Sequence, residues 1–118
     1  MIGTDAGDMF APSFAVSWRD GCSPAALDAA IFDNYVEGWH DAGWQGNWNA
    51  VRFAYTAHAA LKYGCLLLEL RDIFDKDRYE VWQNVSGLSM AAYLHQKAAL
   101  IYYLLDLADE ARELMQSL

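Results

Sequence analysis

The stretch running from Phe32 to Asn47, FDNYVEGWHDAGWQGN, constrains this chain more than any other. It describes a helix that stops at a glycine, crosses an aromatic-rich loop and re-enters a second helix. Gly43 can end the first helix in the left-handed conformation that other residues resist. Asn47 or Asn49 then offers a side-chain oxygen to the free amides that open the next helix. The second helix is rich in small residues. Val51, Ala54, Tyr55, His58, Leu61, Lys62 and Cys65 follow at three- and four-residue spacing, and the pattern runs to about Leu70. Ala54, Ala57, Ala59 and Ala60 keep it thin, so a neighbouring backbone can approach closely.

Helical signals extend in both directions. Ser23-Pro24 is a start signal, a hydroxyl cap followed by proline at the first helical position. From there Leu27, Ile31 and Tyr35 form one stripe, with Asp28, Asp33 and Glu37 lying off it. Upstream, Asp8 can cap a short helix through about Trp18. Downstream, Asp72 to Asp77 reads as a loop. A short helix follows around Tyr79 to Val85, then a break at Ser86-Gly87 and a long helix from about Leu88. Apolar residues lie nearly all round that last helix between Ala98 and Leu107, the pattern of a central helix with several neighbours. Strand signals are poor, because β-branched residues are few and nowhere alternate cleanly with polar ones. Residues 1–118 therefore read as a single all-α domain, with four or five helices in an orthogonal or bundle-like array.

Composition narrows the functional classes. A net charge of −8, with only eight scattered Lys and Arg, works against a nucleic-acid backbone. No apolar run approaches the roughly 20 residues of a membrane span, and no basic and apolar leader opens the sequence. The expectation is a cytoplasmic protein with no membrane or nucleic-acid partner. Cys22 and Cys65 stand alone, without CxxC or histidine at ligand spacing, and read as reduced thiols. Five Trp, seven Tyr and five Phe exceed what a core of this size needs. Some of these rings should line a pocket or a partner surface, or else form an unusually bulky core.

Motifs that carry chemistry are missing from the sequence: there is no glycine-rich phosphate loop, no GxSxG, no HExxH and no Cys/His cluster. His40, His58 and His95 are far apart, which makes a metal site from them a coincidence of folding. The candidate binding surface is the aromatic cluster Tyr35, Trp39, Trp44 and Trp48. Tyr35 and Trp39 share a helix face, while Trp44 and Trp48 flank the turn. Such a corner serves either as a packing hinge or as a contact for a ligand or subunit.

Three segments together resemble the C-terminal helical lobe of the aminoglycoside-phosphotransferase-like kinases. The opening, IGTDAGDMFAPSFAVS, is similar to the family's segment after its metal-binding Asp, where glycine, glycine, Asp, Leu, Ala lead into a small apolar helix. Met9 and Phe10 depart from the usual Leu-Ala. YVEGWHDAGW, from Tyr35 to Trp44, is similar to the family's Tyr-x-x-Gly-x-x-x-Ala-Gly-Trp corner, followed by Val51-Arg52 and the alanine-rich helix. The tail from Leu107 to Arg112 resembles the family's usual ending. The resemblance covers essentially the whole chain in order. It implies that Asp8 braces a catalytic loop and that Tyr35, Trp39, Asp41 and Trp44 face substrate. It also implies ATP and Mg²⁺ as cofactors of the parent family, bound by motifs this chain does not carry. The chain would then hold no catalytic residue, no metal and no cofactor of its own, and would be inactive alone as a fragment of a larger phosphotransferase. Apolar surface left bare should drive self-association or recruit a partner chain. The alternatives are a stand-alone helical interaction module, homodimeric through its aromatic corner, and a small-molecule-binding helical bundle.

Overall fold

The computed structural model describes residues 3–4, 23–64 and 75–118. Four α-helices make up these segments: α1 (Pro24–Asp41), α2 (Trp48–Tyr63), α3 (Tyr79–Ser86) and α4 (Met90–Gln116), with one 3₁₀ turn (Lys76–Arg78) leading into α3. No strand occurs among the described residues, so the all-α expectation holds there. The short helix read after Asp8 and both cysteines lie outside the described residues.

Local chemistry sets the helix ends. Ser23 Oγ accepts from Ala26 N–H at 3.1 Å, with Pro24 behind it in the first turn. Asn47, not Asn49, caps α2, its Oδ1 accepting from Asn49 N–H at 3.0 Å. Ser89 caps α4 by accepting from Ala92 N–H, so α4 begins two residues later than its apolar pattern suggests. Gly87 closes α3 at φ 69°, in the left-handed region. The α2 helix closes at Tyr63; residues 65–70, over which the periodicity carried it, lie outside the described residues. Gly64 caps it there, its N–H still donating to Ala60 O at 2.9 Å. Glycine propagates a helix poorly.

The α4 helix is the hub, packing against α1, α2 and α3, and most extensively against α2. The main core joins Tyr55, Ala59 and Tyr63 of α2 to Leu100, Leu104 and Leu107 of α4, with Leu27, Ile31, Phe32 and Tyr35 of α1 laid against them. A second cluster pairs Met90 and Tyr93 with Tyr79 and Trp82, whose indole stacks on Tyr93 at 5.7 Å. Two parts of the apolar pattern overshoot. Leu61 is 82 % exposed, and on α4 Tyr102 and Leu105 face outward although their stretch reads as apolar all round. Periodicity marks which side chains share a face but not whether a neighbour covers it.

The α1–α2 corner is built by backbone as much as by rings. Gly43 adopts φ 82°, and Trp44 N–H donates to Trp39 O at 3.0 Å, folding the chain back on the helix it has just left. A Cβ at Gly46 would collide with the Trp44 indole. Gly38, by contrast, is an ordinary mid-helix glycine with open space around its Cβ position. One substitution should therefore have opposite signs at two nearby sites. Gly43→Ala forces a side chain into the left-handed region and should lower stability by about 1–2 kcal/mol. Gly38→Ala should raise it by about 0.5–1 kcal/mol. Urea unfolding of the two variants beside the parent chain checks both.

Candidate functional site

Two constellations stand out, one ionic and interior, one aromatic and at the corner. The ionic one centres on Arg52, in the first turns of α2. Its Nη1 and Nη2 donate to Asp28 Oδ1 and Oδ2 at 2.7 and 2.8 Å. Its Nε and Nη2 donate to Glu110 Oε1 and Oε2 at 2.6 and 3.0 Å. One guanidinium thus grips two carboxylates in a bidentate manner, using four of its five N–H donors, and the pairs join α1, α2 and α4. Tyr103 adds a further bond, its hydroxyl donating to Asp28 Oδ2. The Phe32 and Tyr55 rings sandwich the guanidinium carbon at 4.8 and 5.1 Å, so aromatic faces shield the cation.

Asp28 is 3 % exposed. The sequence pattern set it off the apolar stripe, and the structure corrects that: it is the interior charge on α1. Burial alone would push its carboxyl up. The Arg52 fork and the Tyr103 hydroxyl, both bonding to the ionised form, outweigh burial and hold it below the ordinary carboxylate value. Arg52 is pulled down by burial and pushed up more strongly by Asp28 and Glu110, so it stays charged. Burial first, then the negative charge of Asp28, drives the Tyr55 and Tyr103 hydroxyls well above the usual phenol range. Tyr55 is fully buried, and its hydroxyl lies near enough to Asp28 to feel that charge without closing a hydrogen bond. None of these groups is poised to exchange a proton near neutrality. The constellation can hold helices together; it is not built to catalyse proton transfer.

The aromatic constellation brings three of the four predicted binding residues together. Ring centroids run from Tyr35 to Trp39 at 6.3 Å, from Trp39 to Trp44 at 6.3 Å and from Trp44 to Trp48 at 4.5 Å, all edge-on. These are favourable spacings for tilted rings. Asn34, Tyr35, Gly38, Trp39 and Ala42 line an open groove of about 380 Å³ along α1. The Tyr35 hydroxyl accepts from Gly3 N–H at 3.0 Å, so that end of the ring is engaged within the chain. Asp41, at the end of α1, faces solvent. Its side chain is 77 % exposed, beside an equally exposed His40 whose Nδ1 lies 3.9 Å from Asp41 Oδ1. The predicted brace, Asp8, lies outside the described residues.

Of the three histidines, His58 and His95 sit apart on α2 and α4, and among the described residues no group of three His, Cys, Asp or Glu side chains could hold a metal ion. No described helix is long and apolar enough to cross a membrane. No family model, curated protein or solved structure matches the chain.

Sequence reasoning missed the ionic network. Only part of its signal was present: Asp28 and Arg52 are charges set among apolar neighbours, whereas Glu110 lies in the charged run from Asp109 to Glu113. Removing Arg52 would leave Asp28 buried without its counter-charge, the costly half of such a pair. Arg52→Ala should lower stability by about 3–5 kcal/mol. Tyr103→Phe should lower it by about 1–2 kcal/mol. Glu110→Gln, at a half-exposed position, should lower it by about 1 kcal/mol or less. The order Arg52, Tyr103, Glu110 in guanidinium denaturation midpoints checks the assignment.

Proposed function

We propose that this chain is a helical segment of an aminoglycoside-phosphotransferase-like protein, carrying substrate-side helices and inactive in phosphoryl transfer on its own. The observation that supports it is where the ionic network falls. Two of the segments that carry the resemblance, Val51-Arg52 and the Leu107 to Arg112 tail, are joined directly by the Arg52–Glu110 pair. The Tyr35 to Trp44 corner forms a third co-packed unit with them through Tyr35, which lies against the main core. These segments are parts of one packed body.

In this role the corner rings and the Asp41 carboxylate offer ring faces and a negative charge to a cationic small molecule. ATP and Mg²⁺ belong to the parent family's upstream motifs, and no base or metal ligand from those motifs is found in residues 1–118. A chimera tests the kinship, with this chain replacing the helical lobe of an aminoglycoside phosphotransferase behind that enzyme's own nucleotide lobe and catalytic loop. The expected result is a folded chimera that binds ATP in calorimetry, while the chain alone neither binds ATP nor transfers phosphate. A chimera that fails to fold or to bind ATP counts against the kinship. ATP binding by the isolated chain counts against its inactivity.

Self-association through the aromatic corner is a second reading, favoured by the groove's openness and by the half-buried Trp39, Trp44 and Trp48 around it. Light scattering over a concentration series should then show a mass approaching twice 13.3 kDa, returning to the single-chain value in Trp39→Ala. A single-chain mass at every concentration removes this reading.

A further inference from the structure

Of the 18 residues in α1, the one that is fully buried is charged: Asp28. Its apolar neighbours Leu27, Ile31, Phe32 and Tyr35 are only partly covered where they meet the core. Helices ordinarily dock by burying an apolar stripe. This one is seated by a carboxylate held in a guanidinium fork. The groups facing Asp28 are Arg52 and Tyr55 from α2 and Tyr103 from α4, and Glu110 of α4 faces it across Arg52. The α2–α4 contact does not depend on Asp28. It rests on Tyr55, Ala59, Tyr63, Leu100, Leu104 and Leu107.

We propose that α1 is a latched helix: the Asp28–Arg52 fork is its catch, and protonation of Asp28 releases it from an α2–α4 pair that stays folded. The hinge is the corner at Gly43, where the chain already turns through a left-handed residue. The rings from Tyr35 to Trp48 carry no group that titrates in acid, so the corner outlasts the catch.

The sign follows from the direction of the shift. A carboxyl held below its ordinary value adds stability that is fully present above that value and is lost as pH falls through the folded-state value. Release therefore belongs to the acid limb, beginning near pH 4 and growing below it. Arg52 remains charged throughout that range. Neutralising Asp28 removes the carboxylate that ties this cation to α1. Opening exposes the Tyr55 face of α2.

Amide hydrogen exchange followed by NMR on the full chain, at a series of pH values from about 6 to about 2.5, tests this. Rates are to be expressed as protection factors, so that intrinsic exchange is removed. The expected result is a drop of about tenfold or more in the protection of α1 amides, while the central amides of α2 and α4 hold theirs. Asp28→Asn should show weakly protected α1 amides already at neutral pH and no further acid step. Should that variant fail to fold, the parent chain alone still decides the matter. Joint loss of protection in all three helices at one pH would overturn the proposal, as would full protection of α1 at the acid end. An unchanged acid step in Asp28→Asn would overturn the assignment of the catch.

Discussion

A guanidinium that has left water must be met by charge and by hydrogen bonds from every side on which it has donors, and this requirement organises the fold. Arg52 satisfies it only when Asp28 of α1 and Glu110 of α4 converge on it, with the Phe32 and Tyr55 rings as covers. Asp28 in particular cannot be displaced cheaply, because Arg52 would then lose the counter-charge that is buried with it. The three helices are thereby fixed in relative position by one residue. Apolar burial between α2 and α4 supplies bulk stability, and the ionic centre determines where α1 sits against that pair. Buried ion pairs are modest contributors to net stability when compared with well-packed apolar replacements. The role here is one of placement.

The corner adds a second, more local constraint. Gly43 and the Trp44 to Trp39 backbone bond bring α1 round into α2, and four rings in edge contact fill the inside of the turn. Corner and ionic centre lie at different points along α1, with Tyr35 between them as part of the core contact. A helix held at two points, one apolar and one charged, responds differently to acid at its two ends. The same geometry leaves ring faces lining an open groove. That groove therefore adjoins an element whose seating depends on charge.

Much of the fold was legible in the sequence because caps are local. Ser23-Pro24, Gly43, Asn47 and Gly87 each act within a few residues of themselves, and each does in the structure what its position suggested. Three of the four predicted binding residues also come together, because Tyr35, Trp39 and Trp44 span only one helix end and a turn. The ionic centre was not legible for the opposite reason. Arg52 finds its partners 24 and 58 residues away, and Asp28 is reached by Tyr103 across 75. Whether an aspartate beside Leu27 is a solvated edge or an interior anchor depends on what the other helices bring to it. Leu61, Tyr102 and Leu105 make the converse point: an apolar side chain at helical spacing shares a face with others whether or not anything covers that face.

The central claim is that Asp28 and Arg52 stabilise the fold as a coupled pair and not as two separate contributors. A double-mutant cycle measures this directly: unfolding free energies of Asp28→Ala, Arg52→Ala, the double variant and the parent chain, all at neutral pH. The account predicts that the second substitution costs far less once the first is made, with a coupling energy of about 2–3 kcal/mol. Effects that add to within about 0.5 kcal/mol would contradict it, and would mean that α1 is seated by its apolar contacts alone.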